Sequence, residues 1–322
     1  MANVLVTGGA GYVGGALTDR LLMTDHDVRV FDSLLYEECY RKPVPFVLGD
    51  VRDPEALQPH LDWADVVVWL AALVGDPACS LNPELALSLN RDSIRYLIDH
   101  FDGRILFPST CSVYGAADGM LEEGSPVKPL SIYAESKLEA EAILEGRDAM
   151  SFRLGTLFGI SDTYSRIRMD LVVNVLTARA HKHGQISVFG GEQYRPLLHV
   201  SDVAEAITQN IDTDHTGVFN LHNVNMRITD LAEAIQGHFP GLEVETTPMK
   251  FEDSRNYRVS SDKAVSTFGF APRRSIHDGI EELYTLFKDG RIKEIGIARH
   301  SNYHFLLEAA EAVGADSSKL WI

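Results

Sequence analysis

Val4-Leu5-Val6-Thr7-Gly8-Gly9-Ala10-Gly11-Tyr12-Val13-Gly14 stands at the head of the chain, an apolar run that breaks into three glycines at a three-residue step. The pattern reads as a strand, a tight turn and the start of a helix. The first glycine allows the turn, the second lets the backbone approach a pyrophosphate, and the third lets the helix pack on the strand. The N-terminal amides and dipole of that helix then face the phosphates. A glycine triplet by itself also fits an ordinary turn. The residues that follow give it weight: Leu17, Leu21 and Leu22 continue an amphipathic helix, and Val28-Arg29-Val30-Phe31-Asp32 reads as a second strand ending in an acid. Asp32 falls near the spacing of about 20 residues at which such an acid bonds a ribose 2′-hydroxyl. Gly8, Gly11, Tyr12, Val13, Gly14 and Asp32 are therefore the expected dinucleotide-binding residues.

Outward from this loop, the first half of the chain alternates β-rich runs with helical patterns. Strands are predicted at Val4–Thr7, Val28–Asp32, Pro45–Asp50, Val66–Ala72, Arg104–Ser109 and Ser151–Leu154, and helices near Gly14–Met23, Pro54–Leu61, Pro83–Phe101 and Ser131–Leu144. Such alternation implies right-handed crossovers, hence an α/β fold with a doubly wound parallel sheet that binds ligands beyond the carboxyl ends of its strands. Past residue 160 the alternation loosens. Helices are predicted near Met169–His181, Val203–Ile211, Asp230–His238, Ser261–Phe268 and Ile276–Phe287, with strands at Ile186–Phe189 and Val218–Leu221. This predicts a smaller α+β lobe interleaved with the first: 1–160 and 200–222 form the dinucleotide domain, 161–199 and 223–322 the second lobe. The tail carries a helical pattern at Phe305, Leu306, Ala309, Ala310 and Val313, expected to pack on the protein.

Composition narrows the partners. The chain has 322 residues, 45% of them hydrophobic, and a formal charge of −17, which repels nucleic acid and anionic membranes. An anionic substrate would need local arginines to overcome that field. Cys39, Cys79 and Cys111 suggest neither a disulfide framework nor a metal site. No apolar run reaches the ~18 residues of a membrane span, and a strand begins at once, so a cytoplasmic protein is expected.

A chemical pair lies downstream. Tyr133 and Lys137 are four apart in a helical pattern and share one face. A tyrosine titrates near pH ~10, and an adjacent ammonium lowers that value. Just upstream, Phe107-Pro108-Ser109-Thr110 ends a strand, so Thr110 offers a hydroxyl at the mouth of the sheet.

Together these residues resemble the extended short-chain dehydrogenase/reductase family of nucleotide-sugar epimerases, dehydratases and reductases. The resemblance covers most of the chain: the glycine loop, Asp32, Asp50-Val51, Leu70-Ala71-Ala72, Thr110-Cys111-Ser112-Val113-Tyr114-Gly115, Tyr133-x-x-x-Lys137, and Arg195-Pro196-Leu197-Leu198-His199-Val200-x-Asp202-Val203-Ala204. It implies NAD as cofactor, with Asp50 and Val51 at the adenine and Leu70, Ala71 and Ala72 along the ribose and pyrophosphate. Thr110, Tyr133 and Lys137 become the catalytic residues, the last two also touching the cofactor. A nucleotide-diphosphate sugar becomes the substrate, held by Arg195, Arg255, Arg258 and Asn174, with Arg166 and Arg168 flanking the sugar. His199 is expected to be structural, and His181 and His183 to end a helix. A homodimer through the helices near Pro83–Phe101 and Ser131–Leu144 follows by analogy.

The reaction is narrowed by what is missing. Family 4,6-dehydratases carry an acidic pair after the catalytic threonine; here Cys111 and Ser112 stand there, which disfavours dehydration. The expected reaction is epimerisation at C4 through a transient ketone. A C4 dehydrogenase or ketoreductase, or a non-catalytic NAD-sensing protein on the same fold, are the alternatives.

Overall fold

The computed structural model describes residues 1–247 and 255–313, without the side chains of residues 312 and 313. Seven strands form one sheet in the spatial order Gly217–Leu221, Ala149–Leu154, Arg104–Thr110, Val66–Trp69, Asn3–Thr7, Asp27–Asp32 and Phe46–Leu48. Every neighbouring pair is parallel. The central strands are near-continuous apolar runs because both of their faces are covered: every residue of Val66–Trp69 and Arg104–Thr110 is buried. Alternation along Asn3–Thr7 sends Val4 and Val6 to one core with Leu17, Val30 and Phe152, and Leu5 to the other with Phe31, Val67 and Ile105. The strand order reverses between Asn3–Thr7 and Val66–Trp69. That switch point opens a crevice at the carboxyl ends of the two strands.

Three boundaries differ from expectation. The Val66 strand ends at Trp69, because residues 70–72 turn across the glycine loop. The third strand shortens to Phe46–Leu48. The single helix expected over Pro83–Phe101 is Pro83–Leu87, a π-helical turn at Ser88–Asp92 and Ser93–His100, preceded by a short helix at Asp76–Leu81. The extra residue in the turn places Asn90 in the core. There it accepts from Leu73 N (2.8 Å) and donates to Leu73 O (2.9 Å) and Ser136 Oγ (3.0 Å), fixing the loop after the fourth strand to the Tyr133 helix.

A second core gathers Phe158, Val173, Leu231 and Ile280, built by helices Val172–His183, Ile228–His238 and Ile276–Lys288. Its strands Val224–Arg227, Tyr194–His199 and Thr156–Phe158 form a small mixed sheet. Glu243–Thr247 pairs with Gln185–Phe189, and Asn256–Val259 pairs with Ala116–Leu121. Of these six-plus-one short strands only the one at 185–189 was anticipated. Ala-Ala-Asp-Gly-Met-Leu at 116–121 shows why: it lacks β-branched residues and alternation, and tertiary pairing alone extends it. The tail packs back on the first lobe, as expected. Helix Asn302–Val313 buries Leu306 against Leu73, Cys79 and Leu85, and Phe305 meets Tyr36 edge-on at 5.2 Å. The expected contact of Val313 lies outside the described side chains.

Candidate active site

The glycine loop has the shape that its spacing requires. Gly8 adopts φ +72°, and a Cβ there would lie 2.6 Å from Ala71 N; a Cβ on Gly14 would lie 2.5 Å from the Gly9 Cα. Loop, following helix and residues 70–72 therefore pack backbone against backbone. Helix Tyr12–Leu21 begins at Gly11 with no side chain capping it, which leaves its first-turn amides for an anion. Asp32 ends the second strand, and its carboxylate accepts from Ala10 N (3.0 Å) and Leu34 N (2.7 Å). Burial pushes this carboxyl up, and the two amides pull it back. An anion-accepting helix terminus with an acid at the next strand end fits a dinucleotide. Val51 packs in the core beside Phe31, while Asp50, half-buried, is forked by Arg52.

Across the crevice, Thr110 ends the Arg104 strand and Tyr133 and Lys137 lie on helix Ile132–Leu144, capped by Ser131. The Thr110 side chain is hydrogen-bonded to the Tyr133 hydroxyl. Burial pushes the Tyr133 phenol above its usual range; Cys79 and Asp76 push it the same way, and Arg168 and Thr110 pull it back. The sequence expectation that Lys137 does the lowering is corrected here. Its ammonium donates to Pro108 O (2.9 Å) and sits 4.5 Å from the Phe107 ring centre, and burial draws its pKa down to about 8. The cation that favours the phenolate is Arg168.

The expected phosphate ligands converge in part. Arg195 Nη1 bonds Tyr194 O (2.9 Å) and the Arg255 carbonyl, and Arg255 pairs with Asp76 at 3.1 Å. Arg258 lies over the Tyr194 ring, 5.0 Å from its centre. Asn174 is a correction. It is fully buried, accepts from Gly159 N (3.0 Å) and donates to Gly159 O (3.1 Å) and Arg168 O (2.8 Å), so it shapes the backbone rather than facing a ligand. His199 is structural: it caps helix Val200–Gln209 through Ser201 N and meets Glu282 at 3.0 Å. Cys111 is buried and its thiol donates to Arg153 O, with burial holding its pKa high. His181 and His183 lie in the last turn of helix Val172–His183.

Residues 4–221 match the family model described as the NAD dependent epimerase/dehydratase family. The chain belongs to that family. The family uses NAD, which the glycine loop and Asp32 fit. Among its curated relatives, UDP-glucuronic acid decarboxylase 1 of Arabidopsis thaliana is 26% identical over 91% of this chain and 71% of its own. A putative UDP-glucose 4-epimerase of Methanocaldococcus jannaschii is 25% identical over 89% of this chain and 98% of its own. The solved UDP-glucose 4-epimerase of Thermotoga maritima superposes with a TM-score of 0.78 at 22% identity, covering 90% of this chain and all of that one.

Three features of this family member were not read from its sequence. Asp76 reaches the site from the loop after the fourth strand: it accepts from Ser131 Oγ (2.6 Å), pairs with Arg255 and bears on Tyr133. Beneath the catalytic helix, Glu141 takes the Arg153 guanidinium in a fork (2.7 and 3.1 Å) and accepts from Ser109, while Arg153 also bonds Tyr114. Above the site, three segments far apart in sequence interlock. Glu37 pairs with Arg299 and accepts from Arg166 N, and Arg166 bonds Arg299 O and Asn302. Only a run of individually ordinary polar residues marks these positions in the sequence.

Proposed function

We propose that the protein is an NAD-dependent epimerase acting at C4 of a nucleotide-diphosphate sugar. The observation that carries this reading is the bonded Thr110–Tyr133 pair facing the glycine loop across the switch-point crevice. Gly8, Gly11, Tyr12, Val13, Gly14 and Asp32 hold the dinucleotide, with Asp50, Val51, Leu70, Ala71 and Ala72 along its adenosine half. Tyr133 holds and then takes the proton of the sugar C4 hydroxyl, and Thr110 orients that hydroxyl. Lys137, a buried ammonium, secures the nicotinamide ribose. NAD, when bound, accepts hydride from C4 and returns it to the other face of the ketone. Arg195, Arg255 and Arg258 take the diphosphate, for which a guanidinium fork is suited.

Dehydration is disfavoured in this reading because the two positions after Thr110 hold a buried thiol and Ser112, whose hydroxyl lies 3.4 Å from Tyr257. No helix among the described residues is long and apolar enough to cross a membrane. A homodimer through helices Ser93–His100 and Ile132–Leu144 is part of the proposal. The test is a panel of nucleotide sugars followed by NMR, with Tyr133→Phe as control. A C4 epimer without net nicotinamide reduction is expected, falling about a hundredfold or more in the variant at unchanged NAD binding. Stoichiometric nicotinamide absorbance change, or turnover untouched by Tyr133→Phe, would sink the reading.

A further inference from the structure

Arg166 and Arg168 form a buried cationic pair that the reaction as described leaves unused. Both are 8% exposed in a chain of charge −17. Arg168 is matched: Asp170 takes its Nε and Nη2 at 2.5 and 3.0 Å. Arg166 is not matched in this way. Among the described residues its guanidinium donates to two neutral oxygens, Arg299 O (2.7 Å) and Asn302 Oδ1, and stacks 4.0 Å from the Tyr36 ring centre. Glu37, the nearby carboxylate, is bound by the Arg299 guanidinium instead. Burial and the field of Arg168 draw Arg166 down to about 10, a cation held where a neutral group would be easier to keep. Beside it the Tyr36 hydroxyl is buried without a partner, and such a hydroxyl in a native protein calls for one.

The pair adjoins the reacting group. Tyr36 packs on the same apolar cluster as Tyr133 and Cys79, and Arg168 bears directly on the Tyr133 phenol. The diphosphate ligands Arg195 and Arg255 are a separate set, tied to each other and to Asp76. A sugar held by its diphosphate at C1 and by Tyr133 at C4 carries its C6 substituent on the carbon next to the reacting one. The geometry points to a carboxylate at that place: Arg166, Arg168 and the Tyr36 hydroxyl form a subsite for the C6 carboxylate of a nucleotide-linked uronic acid. This rests on the reading of the site as one for a nucleotide sugar. A guanidinium pair suits a planar carboxylate because it offers parallel donors.

The test uses the full chain with NAD and matched probes, UDP-glucuronate against UDP-glucose and GDP-mannuronate against GDP-mannose. Calorimetric binding and kcat/KM are both measured. At least one uronate should exceed its neutral partner about 10- to 100-fold in both, the range of a charge-assisted hydrogen bond. Arg166→Gln should collapse that ratio, and Arg166→Lys should restore part of it. The wild-type comparison stands even if a variant fails to fold. Neutral sugars bound and turned over as well as uronates would overturn the subsite and leave the epimerase reading standing. An unchanged ratio in Arg166→Gln with weakened NAD binding would also overturn it, assigning the pair to the cofactor. A uronate converted with loss of carbon dioxide would support the subsite and refute C4 epimerisation as the outcome. Turnover and binding of none of the probes would overturn both.

Discussion

Lys137 imposes a pH dependence on stability that can be worked from its surroundings. The ammonium is 3% exposed, with one carbonyl and one aromatic face for company, and its pKa falls from 10.5 to about 8. A depressed lysine pKa means that the unfolded chain binds more protons between pH 8 and 10.5, so stability rises with pH across that window. Below it the lysine is charged in both states, and burial of the charge costs about 3 kcal/mol relative to the top of the window. From pH 7 to pH 9 the gain from this group is about 1.3 kcal/mol. Tyr133, whose pKa is raised, stays protonated there and subtracts stability only above pH 10. The perturbation is Lys137→Met, which keeps the stem over Phe107 and removes the charge. Urea unfolding of wild type and variant at the two pH values gives the double difference, from which every other titrating group cancels to first order. Wild type should gain about 1 kcal/mol more than the variant between pH 7 and 9. Equal gains, or a larger gain in the variant, would refute the assignment of a charged, buried Lys137.

Gly8→Ala places a Cβ 2.6 Å from Ala71 N at φ +72°, so it should cost about 1–3 kcal/mol and abolish NAD binding, read by urea unfolding and by fluorescence titration. Retained NAD affinity would show that the loop can open without loss. Glu141→Gln strips the buried Arg153 of its only carboxylate among the described residues and should destabilise by about 3–5 kcal/mol, visible as a drop in Tm. A shift below about 1 kcal/mol would mean that Tyr114 and Glu123 O satisfy the guanidinium alone.

What was legible in the sequence and what was not divide along one line: whether the constraint is local. Gly8, Gly14 and Asp32 are legible because a backbone turn, a close approach and a strand end act within a few residues of themselves, and the structure shows those same contacts. Asn174 misled because its amide looks like a ligand in a sequence, whereas three backbone bonds from Gly159 and Arg168 consume it in the fold. Lys137 misled in a subtler way. Four residues along a helix place it on the face of Tyr133, but the side chain bends to Pro108, so shared face did not mean shared field.

The converse case is Asp76, which no local pattern distinguishes from the first residue of any short helix. It matters because the π-helical turn at Ser88–Asp92 seats Asn90 under Leu73, which sets the loop that carries Asp76. From there one carboxylate touches the cap of the catalytic helix and Arg255, and opposes the ionisation that Arg168 favours at Tyr133. The poise of the tyrosine is thus set between an acid and a base contributed 57 residues upstream and 35 residues downstream of it. Neither lies within reach of a helical or strand period, so only the closed fold could bring them to the same phenol.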